Sequence, residues 1–229
     1  MARIAILGGG RQGRVVAADL AVDHEVTVAD VAPPKVRGAR TRKIDVTDRA
    51  ALVRFLSRFD LGVGALPARL GFGAARAAVT ARRSYVDVAF YAEDVQALDA
   101  DAKAAGVAIL PDCGLAPGLS NLVVGRALAA RPRRRIAIYV AGVAADPARP
   151  YGYVATWSVP DLVDEYTRPA RIIKDGKVTS VPALTGLETL AFAGIGELEA
   201  FFTDGLRTLL SVGDVEEMIE KTLRWPGHV

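Results

Sequence analysis

Three glycines at positions 8, 10 and 13, in the run ILGGGRQG, stand where an apolar stretch ends and a helical pattern begins. Glycine at the first position permits a tight turn, at the second lets backbone approach a pyrophosphate, and at the third lets a helix close onto a strand. The helix amides then face the anion, with Arg11 and Gln12 in the first turn. Asp30 ends the next apolar run, 17 residues past Gly13, where a carboxylate accepts protons from ribose hydroxyls. Its charge repels a 2′-phosphate, which favours NAD; Lys35, Arg37, Arg40 and Arg42 follow closely and keep NADP open as the alternative.

The second chemical stretch is ILPDCGLAPGLSN, residues 109–121. An apolar run stops in an aspartate, a cysteine and several glycine and proline breaks, the pattern of a strand ending at the ligand edge of an open sheet. Asp112 is the first candidate for contacting an amine or acting as a base, against a turn or helix-cap role. Asp87 ends the preceding apolar run and reads as more structural. Cys113 raises the alternative of a thiol nucleophile in a cysteine-dependent aldehyde dehydrogenase, but neither His24 nor His228 is placed in sequence to activate it. His228 sits in the final residues, where fraying competes with a role.

These residues need elements to hold them. RIAILG, EVTVAD, RKIDV, LGVGAL, SYVDVA and GVAIL read as strands, alternating with helices over RQGRVVAADLA, TDRAALVRFLSRF, ARLGFGAARAAVTAR and AEDVQALDADAKAA. Such alternation predicts an α/β doubly wound, mainly parallel sheet. Asp45 then falls near the adenine end of a dinucleotide, and Ala65, Leu66 and Pro67 follow the fourth strand toward the nicotinamide half. After Leu119 the rhythm changes. A helix from Ser120 to about Ala130 precedes strands over RRIAIYVAGV and YGYVATWSV, a short helix DLVDEYT, and a hairpin ARIIKDGKVTSVPAL turning at KDGK. The expectation is a Rossmann domain over 1–117 and an α+β substrate and dimerisation domain over 118–229, with the site between them.

Composition agrees with a folded chain. Of 229 residues 51% are hydrophobic, enough for a core, and no apolar run reaches the ~20 residues of a membrane span. One cysteine excludes an intrachain disulfide and, with two distant histidines, an ordinary zinc site. A cytoplasmic setting is expected. The net charge is +3, and the basic run RPRRR at 131–135 reads as a helix end and not as a nucleic-acid patch, because no aromatic residues interleave it.

Together ILGGGRQG, KIDVTD, GALPARLGFGAARAAV, YVDVA, LPDCGLAPGLSN, TWSVPDLVDEYTRPARIIKDGK and LEAFFTDGLRTLL resemble the saccharopine dehydrogenase family, closest to its lysine 6-dehydrogenase-like branch. The resemblance implies a Rossmann domain followed by an α/β domain for the amino-acid site and dimerisation, and NAD(P)-dependent oxidation or reduction at a carbon bearing an amine. It makes Trp157 and Ser158 substrate-pocket residues, against core packing and a helix cap. Thr203 and Asp204 become binders of an amino or carboxylate group, against a cap before GLRTLL. Two departures accompany it. The second Rossmann helix is abbreviated into APPKVRGAR, and the chain stops at TLRWPGHV where the family runs on, so a shortened chain is expected. The alternative to turnover is a dinucleotide-binding regulatory protein.

Overall fold

The computed structural model describes residues 1–131 and 134–229; Pro132 and Arg133 of the basic run lie outside the described residues. The chain divides into two units, Met1–Gly114 and Leu115–Val229. The division falls three residues before the expected boundary at Pro117.

The first unit runs β1 (Arg3–Leu7), α1 (Arg11–Leu20), β2 (Glu25–Asp30), β3 (Arg40–Lys43), α2 (Arg49–Leu56), β4 (Leu61–Gly64), α3 (Ala68–Thr80), β5 (Ser84–Asp87), α4 (Asp99–Ala105) and β6 (Ile109–Leu110). The six strands are parallel in the order β3-β2-β1-β4-β5-β6, the doubly wound order whose switch point lies between β1 and β4. Period-two alternation of β1 splits the core. Ala5 and Leu7 face one layer with Leu52 and Leu56 of α2 and the alanines of α3, while Ile4 and Ile6 face Ala17 of α1 on the other side. Asp48 caps α2 by accepting the Ala51 N–H. No helix joins β2 to β3, as the short APPKVRGAR segment predicts.

Two expectations shift. The third strand occupies Arg40–Lys43 instead of RKIDV, because it pairs only with β2 and that pairing ends at Asp30 opposite Lys43. The AEDVQALDADAKAA helix begins as a tight turn over Val95–Leu98 and becomes α-helical at Asp99.

The second unit contains α5 (Leu119–Ala130), β7 (Arg135–Ala141), α6 (Val159–Thr167), β8 (Ala170–Lys174), β9 (Lys177–Val181), β10 (Glu188–Phe192), β11 (Gly196–Phe202) and β12 (Glu217–Arg224). β12 is central: β11 and β8 pair with it antiparallel and β7 pairs with it parallel along its length. The KDGK hairpin forms as expected between β8 and β9, with Asp175 and Gly176 at φ 51° and 71°. YGYVATWSV does not form the expected strand. Tyr151 and Gly152 take φ 58° and 56°, which breaks an extended run, and Gly152 packs directly beneath the Trp225 ring. No helix among the described residues is long and apolar enough to cross a membrane.

Candidate functional site

In the first unit the glycine loop is built by contacts that only glycine allows at two of its three positions. Gly8 has φ 98°, and a Cβ there would run into the Ala65 carbonyl; a Cβ on Gly13 would run into the Gly8 carbonyl oxygen and approach Ala65 within 3.3 Å. The β1 loop, the start of α1 and the end of β4 are thereby pressed together, which joins Gly8, Gly13 and Ala65. Gly10 is different. It has an ordinary φ of −68°, and a Cβ there meets nothing within 4 Å. Neither backbone nor packing accounts for its missing side chain, whereas close approach of a phosphate does. The exposed Arg11 and Gln12 open α1, whose N-terminus has no side-chain cap.

Asp30 lies at the end of β2 and braces the loop. One carboxylate oxygen accepts the Gly9 N–H at 2.7 Å and the other the Ala32 N–H at 2.8 Å. Each oxygen keeps a lone pair, so the brace leaves capacity for a hydroxyl. Asp45, fully exposed, accepts from the Thr47 hydroxyl and amide, which hold its carboxyl below the usual range. Leu66 and Pro67 lead into α3, with Pro67 at its cap. The donors and the open cradle fit a dinucleotide.

At the carboxyl ends of β5 and β6 lie two buried acids. Asp87 is 0% exposed; its Oδ1 accepts the Ala89 N–H at 2.8 Å and its Oδ2 has no hydrogen-bond partner. Burial pushes its carboxyl up to about 7, the Ala89 amide pulls against this, and nearby Asp112 adds to the rise. Asp112 is 4% exposed and holds φ 56°. Gly64 gives the room: a Cβ there would strike the Tyr85 hydroxyl and the Asp87 carboxylate. Cys113 donates its backbone N–H to the Asp87 carbonyl at 2.8 Å. Its thiol is pushed up by burial and by both aspartates, so the nucleophilic thiolate is disfavoured. Asp87, read from sequence as the more structural acid, is thus buried with a raised carboxyl beside Asp112.

In the second unit three of the four sequence-identified residues, Trp157, Thr203 and Asp204, take part in polar contacts between elements, while Ser158 caps a helix. Trp157 Nε1 donates to the Tyr153 hydroxyl at 2.9 Å, and the Arg224 guanidinium lies 4.7 Å from the centre of that ring. Arg224 Nε donates to the Tyr166 hydroxyl on α6 at 2.8 Å. Neighbouring Glu165 accepts from Thr222 at 3.1 Å, and Thr222 shares a 2.8 Å bond with Thr203. Ser158 caps α6 by accepting the Asp161 N–H. Asp204 is engaged by Arg171 through a backbone bond at 3.1 Å and two side-chain bonds at 2.9 and 2.8 Å, and by Arg168 at 3.3 Å. His228 does not fray: it bonds Tyr166 and the Tyr151 carbonyl and stacks on Phe201. Arg224, Tyr166, Glu165 and Glu220 were not singled out from sequence; the available signal was charged residues placed inside the otherwise strand-like EMIEKTLR.

A parallel Rossmann sheet with a phosphate-type glycine loop, followed by a mixed-sheet unit holding buried polar groups, defines a two-unit protein whose first unit has the dinucleotide-binding type of fold. The model of the saccharopine dehydrogenase NADP-binding domain matches residues 4–110 and that of the saccharopine dehydrogenase C-terminal domain matches 114–229, so the chain belongs to the saccharopine dehydrogenase family. The chain is 23% identical to saccharopine dehydrogenase [NADP(+), L-glutamate-forming] of Saccharomyces cerevisiae, over 98% of its own length and 55% of that protein. It is 27% identical to the enzyme of the same name from Pyricularia oryzae, over 66% of its length and 34% of that protein. The apo yeast structure superposes on 100% of the chain and 56% of its own, with TM-score 0.79 and 22% identity. The WlbA dehydrogenase of Thermus thermophilus, solved with NAD and α-ketoglutarate, covers 98% of this chain and 73% of its own at TM-score 0.51 and 14% identity. The chain therefore spans about half the length, or less, of the curated relatives it matches.

Two predictions follow from the geometry. Gly10→Ala changes stability by less than about 0.5 kcal/mol yet lowers dinucleotide affinity at least about tenfold, whereas Gly13→Ala destabilises the fold itself; urea melts and calorimetry on both variants separate the two effects. Glu220, 6% exposed, receives the Gly205 N–H but leaves Oε2 without a partner, and burial together with Glu165 and Asp204 pushes its carboxyl up to about 8. A native carboxyl above its unfolded value of 4.5 contributes stability below that value and loses it as pH rises to about 8, at about 1.4 kcal/mol per pH unit as an upper bound. Urea midpoints at pH 5, 7 and 9 are expected to fall less steeply in Glu220→Gln than in the parent; equal slopes would show that Glu220 does not hold the proton.

Proposed function

We propose that this chain carries the cofactor- and substrate-binding parts of an NAD(P)-dependent dehydrogenase acting on a carbon–nitrogen bond of an amino acid, most concretely by lysine 6-dehydrogenase-like oxidative deamination. The observation that supports this reading best is the Asp87 and Asp112 pair at the sheet edge that also carries the glycine loop. Amine oxidation requires a group that takes a proton near neutrality; Asp112 is that group in this reading, coupled to Asp87, whose carboxyl burial pushes up to about 7. When bound, the dinucleotide supplies the hydride acceptor at its nicotinamide ring.

In this reading Gly8, Gly10, Arg11, Gln12 and Gly13 receive the pyrophosphate, Asp30 the ribose and Asp45 the adenine side, with Ala65, Leu66 and Pro67 beside the nicotinamide half. Asp112 takes the proton that the substrate ammonium must lose before an imine forms, and water then releases aldehyde and ammonia. Trp157, Ser158, Thr203 and Asp204 belong to the substrate side, with Ser158 and Asp204 acting through the α6 cap and the arginine pair that they form. NAD is the first choice because the Asp30 carboxylate disfavours a 2′-phosphate. NADP is the second, supported by the NADP-binding family model and the basic run from Lys35 to Arg42. The working form is a homodimer in a reducing compartment, where Cys113 stays a thiol. Exposed Leu119, Leu122 and Val123 of α5, beside a groove of about 390 Å³ along β7, support self-association.

Titration with NAD and NADP followed by addition of lysine is expected to produce reduced nicotinamide. Asp112→Asn then lowers turnover by about 100-fold or more without weakening dinucleotide binding. Because Asp87 loses its proton as pH rises through about 7, turnover climbs across that range, and Asp87→Asn removes the step. Dinucleotide binding without turnover on lysine, related amino acids or polyamines would favour the regulatory alternative.

A further inference from the structure

Five cations, Lys35, Arg37, Arg40, Arg42 and Lys43, fall within residues 31–43, a stretch that holds no acid. All five are exposed, and none meets an acid in an ion pair among the described residues. Asp45, two residues beyond Lys43, turns to Thr47 instead. The segment that carries these charges is packed in place. A Cβ on Gly9 would run into the Pro34 ring, Val36 and Ala39 join the α1-side core, and Gly38 sits so close to Ala21 that a Cβ there would lie 3.1 Å from it. Like charges held on a fixed backbone beside the glycine loop create a field that an anion relieves.

Strand register separates the five. β2 and β3 are parallel neighbours, with Thr27 beside Arg40, Val28 beside Thr41, Ala29 beside Arg42 and Asp30 beside Lys43. Paired residues leave a sheet on the same face, and successive residues leave it on opposite faces. Val26 and Val28 pack on the α1 side, so Asp30 and Lys43 belong to that side; Ala29 packs on the α2 and α3 side, so Arg40 and Arg42 belong to the other. Of the three cations on β3, only Lys43 therefore shares the face of Asp30, at the same strand end. It makes no ion pair with that acid, whose oxygens turn to the Gly9 and Ala32 amides at 2.7 and 2.8 Å. An acid that braces backbone and a lysine that braces nothing are different partners for one ribose. The carboxylate accepts from a 2′-hydroxyl, whereas the ammonium donates to a 2′-phosphate as a point charge.

We propose that Lys43 is the cofactor-specificity residue of this chain: it meets a 2′-phosphate next to Asp30, so that NADP binds within about tenfold of NAD although the acid alone would exclude it. The proposal deepens the dinucleotide reading and rests on it, and its readout is binding alone. Calorimetric titrations with NAD, NADP, 5′-AMP and 2′,5′-ADP are made on the parent chain and on Lys43→Gln, Lys43→Arg, Lys35→Gln and Arg42→Gln, with the folding of each variant verified by circular dichroism. The compound 2′,5′-ADP carries the 2′-phosphate without the nicotinamide half. Arg126→Gln, at an exposed arginine of the second unit, is the control.

Lys43→Gln is expected to lower the affinity for NADP relative to NAD, and for 2′,5′-ADP relative to 5′-AMP, by at least about tenfold. Lys43→Arg keeps the charge and is expected to stay near the parent, as is the control. Lys35→Gln and Arg42→Gln are expected to change the ratio by no more than about threefold, because the register sets Arg42 on the other face and gives Lys35 no place beside Asp30. NADP more than tenfold weaker than NAD in the parent, an unchanged ratio in folded Lys43→Gln, or an equal loss in Lys35→Gln or Arg42→Gln would each overturn the assignment and leave the dinucleotide reading standing. Failure of both dinucleotides to bind the parent would instead retire that reading, and the assignment with it.

Discussion

Asp204 is removed from water, and Arg171 meets it with two side-chain bonds and a backbone amide while Arg168 closes from another side. Much of the second unit is arranged around this pairing. Arg168 also reaches Asp164, which ties α6 to the segment after β11, and Thr203 beside Asp204 continues through Thr222 to Glu165 on the same helix. Removing one partner of such a buried set leaves an uncompensated charge, which is far worse than never having buried the pair. The network therefore specifies one position for α6 against the sheet, and with it the positions of Tyr166 and of the aromatic rings around Arg224.

The first unit solves a different problem. Its constraint is steric: the β1 loop, α1 and the end of β4 approach so closely that Gly8 and Gly13 admit no side chain. Asp30 then holds the loop from below through the Gly9 amide. A loop fixed on both sides presents its amides without needing to order itself when an anion arrives, which is the preorganisation that favours binding.

The sequence conveyed the first unit well because its information is local. A strand ending in glycines, a helix of alanines and an aspartate after the next strand each constrain their own neighbourhood, and the parallel order follows from their alternation. Two of the three glycines have visible steric reasons. The second unit was legible only where a short signal existed, as in the KDGK hairpin or the Ser158 cap. YGYVATWSV misled because Tyr and Val suit a strand, while Tyr151 takes a positive φ and Gly152 fits under Trp225, a residue more than 70 positions away. The parallel pairing of β7 with β12 is equally non-local. The substrate-side candidates fared unevenly: the tryptophan and threonine could be named from resemblance, but the place of Arg224 shows only in its burial, in the tyrosine rings around it and in its charge beside Glu165.

Asp87 and Glu220 show why proton affinity alone does not define a site. Burial raises both carboxyls, to about 7 and about 8, and each has one oxygen without a hydrogen-bond partner. Glu220 lies within β12, and its carboxylate fills the missing side chain of Gly205 as that of Asp87 fills the missing side chain of Gly64. Asp87 lies at the last residue of β5, where the strands of a doubly wound sheet end and ligands are received, with Asp112 and the glycine loop in the same unit. The same desolvation raises both carboxyls, and the difference between them is position in the fold: Glu220 lies inside a central strand, Asp87 at the end of one.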